Sequence, residues 1–118
     1  MAFKVTYKHG PRLAVAEVSG LAFADQAVQT LEEIREQTQA NGDKRLLINL
    51  LDVVGTMSPQ DHQALGLLAV KYLSHLERVA SLVPEDKITR VSEAAAQKKG
   101  MQLKVFTNLT EAVNWLIA

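Results

Sequence analysis

Ser58 is the residue whose setting most invites a chemical reading. It stands in "VGTMSPQDH", so a hydroxyl, a carboxylate (Asp61) and an imidazole (His62) fall within five consecutive residues. Those are the residue types of a nucleophilic triad, in which the imidazole takes the serine proton and the acid orients the imidazole. The context argues against one. No G-x-S-x-G elbow surrounds the serine, and Ser58 and His62 are only one helical turn apart. No catalytic residue is expected, and hydrolysis at Ser58 is the weakest functional reading. The same residues make a strong helix start: Ser58, Pro59 at the first helical position and Asp61 three residues on, ahead of an apolar run. Ser58 is therefore expected to cap a helix. A phosphate on its hydroxyl would meet the positive end of that helix, so Ser58 is also a phospho-acceptor candidate. The cap reading is favoured, and the two are compatible.

The other chemistry-bearing groups are scattered. His9, His62 and His75 show no ligand spacing, and no metal is expected. The six glycines sit singly at turns rather than in a phosphate-binding loop, and no cofactor is expected. Lys98 and Lys99 suit the negative end of a helix without any anionic partner. Trp115 in "EAVNWLI" is expected to pack the last helix onto a sheet.

These residues must be positioned by an alternation of strands and helices. "FKVTYK" sets Phe3, Val5 and Tyr7 on one face and Lys4, Thr6 and Lys8 on the other, a half-exposed strand whose lysines discourage edge pairing. "HGP" is turn chemistry, and "RLAVAEVSG" continues as the second arm of a hairpin. Apolar residues at Ala24, Ala27, Val28, Leu31 and Ile34 predict a helix over 24–40, ended by Asn41–Gly42. "KRLLINLLDV" is apolar on both faces, as in a central strand covered on both sides. The helix starting at Ser58 is expected to reach Tyr72, and "RVASLV" to form a further strand. Pro84, Glu85 and Asp86 predict a helix running to Lys98–Lys99. "MQLKVF" alternates again, and Asn108 with Glu111 predicts a capped final helix. The order is β-β-α-β-α-β-α-β-α: an α/β fold with a mixed, mostly parallel sheet.

Composition agrees with one domain over 1–118. The 118 residues are 47% hydrophobic and 22% charged, with 13 basic and 13 acidic residues and no cysteine. Balanced charge leaves no overall field to draw nucleic acid or an acidic membrane. The absence of cysteine suits a reducing compartment, and no apolar stretch approaches a signal peptide or a membrane span. A cytoplasmic domain is the expectation.

"AEVSG", "LLINLLDV", "VGTMSPQD" and "KVFTNLTEAVNWL", taken in order, resemble a SpoIIAA-like (STAS) domain over essentially the whole chain. The closing segment is most similar to a bacterial subgroup of stand-alone SpoIIAA-like proteins, related in fold to CRAL-TRIO lipid-transfer domains. In anti-sigma-factor antagonists of this family the loop after the central strand reads Asp-Ser-Ser-Gly and its first serine is phosphorylated. That serine corresponds to Ser58, but Met57 replaces the acid, Pro59 the second serine and Gln60 the glycine. The resemblance implies a non-enzymatic regulatory module that binds a protein partner, or itself, through the Ser58 loop and the helix after it. Met57, Ser58, His62 and Leu65 are the contact candidates. An exposed apolar patch near "TMSPQDHQALG" would favour that reading. The CRAL-TRIO relationship implies the second reading, a carrier or sensor of a small lipophilic ligand. An apolar cavity lined by Met57, Leu65, Leu68 or Trp115 would favour it.

Overall fold

The computed structural model describes residues 3–21, 26–55 and 58–118. Its framework is a five-stranded sheet of β1 (Phe3–His9), β2 (Ala14–Leu21), β3 (Arg45–Val54), β4 (Arg78–Leu82) and β5 (Leu103–Phe106). The strands lie side by side in chain order. β1 and β2 form the antiparallel hairpin, while β2, β3, β4 and β5 are parallel. Helices α1 (Ala27–Asn41), α2 (Pro59–Leu73) and α3 (Val91–Lys98) make the crossovers, and α4 (Leu109–Ile117) closes the chain. Because every crossover steps the same way along the sheet, a common right hand puts α1, α2 and α3 on one face. The fourth helix takes the other.

Two apolar layers follow from strand alternation. Leu46 and Ile48 of β3 pack with Leu31, Ile34, Ala69 and Leu73 beneath α1 and α2. Leu47, between them in sequence, joins Ala80, Phe106, Ala112 and Leu116 under α4. Trp115 packs in this second layer, its ring 5.7 Å from that of Phe106. The last turn of α4 is held by two arginines from strand starts. Arg45 donates to the Leu116 carbonyl at 2.6 Å and Arg78 to the Trp115 carbonyl at 2.6 Å, meeting carbonyls that have no partner within the helix.

The helix ends obey the cap chemistry. Gly42 closes α1 in the left-handed region at φ 67°, where a side chain would be strained. Asn108 accepts the Glu111 amide at 3.0 Å and starts α4. The expected start of α1 at Ala24 lies outside the described residues. One boundary differs from the reading of the sequence: Pro84 opens only a single 3-10 turn, Glu85–Lys87, and α3 begins at Val91. Ile88 is extended at φ −66°, ψ 132°, which breaks the helix between them.

β3 also departs from a strand buried throughout. Its partner β4 ends opposite Asn49, and the register with β2 shifts between Glu17 and Ser19. Glu17 faces Asn49 whereas Ser19 faces Asp52, so β3 carries one extra residue there. Asn49 steadies that bulge by accepting the Leu51 amide at 3.0 Å. Beyond it Leu51 is 44% exposed and Val54 59% exposed.

Candidate functional site

Ser58 sits where strand β3 hands over to α2. Its backbone is extended, its hydroxyl accepts the Asp61 amide at 3.1 Å, and Pro59 follows at the first helical position. The Ser58 carbonyl accepts the His62 amide at 3.0 Å, the first bond of the helix. The cap is thus formed as its chemistry requires, and Asp61 lies where the helix dipole favours a carboxylate. Among the described residues no hydrogen bond joins the Ser58 hydroxyl to an imidazole. His62 is half-buried, and that burial lowers its pKa, with the Asp61 charge acting in the opposite sense.

The helix sends the candidate residues in different directions. Gln60, Gln63, Ala64 and Leu67 are exposed, and their i, i+3, i+4, i+7 spacing makes one outward stripe. Its residues carry no charge until Lys71, whereas the exposed side of α1 holds Glu32, Glu33 and Glu36. Leu67 in this stripe is 43% exposed. Leu65 turns the other way and lines a cavity between the sheet and the crossover helices. Met57 lies outside the described residues.

That cavity has a volume of about 130 Å³. Ile34, Ile48, Leu50, Leu65 and Ala69 form its apolar walls, with the hydroxyl-bearing Ser81 and Ser92 among the residues lining it. Gly66 lies at its edge, where α2 crosses α3 so closely that an added Cβ would run into the Ser92 carbonyl oxygen. Leu68 does not line it, and Trp115 cannot, because it packs under α4 on the opposite face. Strand alternation marks Ile48 and Leu50 as sharing a face, but the volume depends on how closely α1 and α2 approach. Nothing local encodes that distance.

The three histidines are held apart by separate partners. His9 Nδ1 is 2.7 Å from the Asp43 carboxylate, and its Nε2 lies 3.3 Å from the Asn41 amide nitrogen. His75 lies just past the end of α2, its Nε2 2.8 Å from the Thr38 hydroxyl. Thr38 is fully buried and its hydroxyl donates to the Ile34 carbonyl at 2.8 Å, which leaves its oxygen to accept a hydrogen from Nε2. Burial, then the charges of Arg35 and Lys44, lower the His75 pKa. Among the described residues no group of three or more His, Asp or Glu is placed to hold a metal ion. Among the described residues no helix is long and apolar enough to cross a membrane.

A family model described as SpoIIAA-like matches residues 13–117. No curated protein matches the sequence significantly. Among solved structures, an anti-sigma factor antagonist from Mycobacterium paratuberculosis is 16% identical. It superposes with a TM-score of 0.67 over 98% of this chain and 94% of its own. An uncharacterised protein of the DUF3478 family from Shewanella loihica, with a SpoIIAA-like fold, is 18% identical, with a TM-score of 0.54 over 98% and 93%. A serine-to-glutamate variant of RsbS from Moorella thermoacetica is 17% identical, with a TM-score of 0.54 over 96% and 94%. At these identities the structures share the fold. The family match spans both apolar layers and the capped loop between them, and the chain belongs to the SpoIIAA-like family.

Proposed function

We propose that this protein is a non-enzymatic regulatory module that binds a protein partner through the end of β3, the Ser58 loop and the outward stripe of α2. The observation that carries this reading is the uncharged exposed stripe Gln60, Gln63, Ala64 and Leu67 on a helix whose neighbour α1 is richly acidic outside. Interface cores are depleted in charge while ordinary solvated helix faces are not. Exposed Leu51 and Val54 precede the loop and add apolar area on its strand side. The solved anti-sigma factor antagonist supports the same regulatory class through its shared fold. Ser58 enters first as the cap that orients the stripe, with phosphorylation a secondary role for the same hydroxyl.

Photo-crosslinking in cells tests this. A crosslinking amino acid at Leu67 should capture one defined partner that the same group at Lys99 does not, and Val54→Asp should abolish that capture. Equal capture from both positions would overturn the reading.

A second reading, a sensor of a small apolar ligand, is favoured by the cavity beneath α1 and α2. Its volume is near that of the roughly 150 Å³ engineered cavity that admits benzene. The expected ligand is therefore a small ring compound, not a long-chain lipid. Benzene or indole should raise the melting temperature of the wild type but not of an Ala69→Leu variant that fills the space. A ligand-induced rise in both proteins would place binding elsewhere.

A further inference from the structure

The cavity beneath α1 and α2 is not wholly apolar, and its few polar groups bear on what it can hold. Among the described residues no charged side chain lines it, and its hydroxyls come from Thr30, Ser81 and Ser92. Thr30 is engaged elsewhere, donating to the Gln26 carbonyl at 3.0 Å. Ser81 and Ser92 make no side-chain hydrogen bond among the described residues. Yet the buried side-chain polar atom that is sealed without a partner there is the Tyr7 hydroxyl, so both serine hydroxyls keep accessible surface.

Strand alternation shows where the Ser81 surface lies. In β4, Ala80 and Leu82 pack under α4 while Val79 packs under the crossover helices, so Ser81 shares the Val79 face. It pairs with Ile48 of β3 on one side and Val105 of β5 on the other, and both are buried. Its open side is therefore the cavity, where it makes a polar spot on an apolar floor. Ser92 stands in the first turn of α3, where its carbonyl oxygen packs against Gly66 at the cavity's edge.

We propose, resting on the apolar-ligand reading above, that Ser81 and Ser92 anchor a neutral single-ring ligand that carries one hydroxyl group. Volume sets the ring, because about 130 Å³ takes one ring and no long chain. The uncharged lining sets neutrality, since an ion brought into apolar surroundings without a counter-charge loses its hydration uncompensated. The serines set the hydroxyl. A serine hydroxyl both donates and accepts, and so does the group it would meet. Apolar sites use a few such groups to fix the orientation of a ligand that is otherwise gripped by its walls. A wholly apolar ring would strip water from both serines and give no hydrogen bond back.

Phenol and toluene share a shape and differ by a hydroxyl against a methyl. NMR titration of the Ile48 and Ala69 methyl signals with each compound tests the proposal. Both should bind the wild type, and neither should bind Ala69→Leu, which fills the space. In a Ser81→Ala/Ser92→Ala variant phenol should bind about tenfold more weakly, because its hydroxyl is left unpaired. Toluene should keep its affinity there within about twofold. The variant should also melt as the wild type does, since neither hydroxyl bonds within the chain. A clearly lower melting temperature would show that the serines serve the fold and would overturn the proposal. Equal losses for the two compounds, or none for either, would overturn it as well while leaving the apolar-ligand reading intact. If neither compound binds the wild type, that reading falls and the proposal falls with it.

Discussion

The hydroxyl of Ser58 is engaged with a backbone amide of its own helix, and its contribution can be weighed as that of a cap. Ser58→Ala should lower stability by about 1 kcal/mol, whereas Ser58→Asp, an equally good cap, should be nearly neutral. Thermal or urea denaturation of both variants checks this, and equal losses would show that the serine does more than cap. The histidines make a separate statement about pH. Both His62 and His75 have native pKa values below the usual 6.5, because burial disfavours their charged forms. The unfolded chain therefore takes up protons before the native state does. Stability should be full above about pH 7, should fall as pH drops below 6.5, and should stop falling once the lowered native values are passed. His75→Gln should flatten part of that slope in urea titrations taken at several pH values. An unchanged slope would mean that the native imidazole titrates as it does in water.

Among the elements, the α2–α3 crossing is the least tolerant. Gly66 lets the Ser92 carbonyl approach where any side chain would collide with backbone. Gly66→Ala should cost about 1–3 kcal/mol by overpacking, although Ala is the better helix former. A circular-dichroism melt decides it; a stabilised variant would mean that α3 shifts without penalty. Because α3 also supplies Glu93, which accepts the Val105 amide at 2.7 Å, the same variant should speed exchange at Val105. Element boundaries were legible from sequence where a cap or turn residue made them local. Ser58, Asn108 and Gly42 mark ends that the structure reproduces. Pro84 misled because its acids satisfy the rules for a helix start over one turn only, after which Ile88 takes an extended backbone.

At the scale of the molecule, one face of the sheet carries three crossover helices and the other a single helix of nine residues. That thin layer rests on few side chains, with Leu116 fully buried among them. Leu116→Ala should cost about 2–5 kcal/mol and unfold the whole domain cooperatively rather than release α4 alone. Coincident fluorescence and circular-dichroism transitions would bear this out; separate transitions would show α4 leaving by itself. The order of strands and helices, the face each strand residue takes before the bulge, and the capping of α2 and α4 are legible in the residues alone. Those are properties of periodicity and of side chains reaching their own backbone three or four residues away. The extra residue in β3, the cavity, the exposure of Leu51 and Val54 and the bond from Val105 to Glu93 arise only in the assembled fold. Each depends on where a distant segment comes to rest: β2 against β3 in one register, α1 beside α2, Glu93 twelve residues from the amide it holds. Local patterning constrains such distances too weakly to read them in advance.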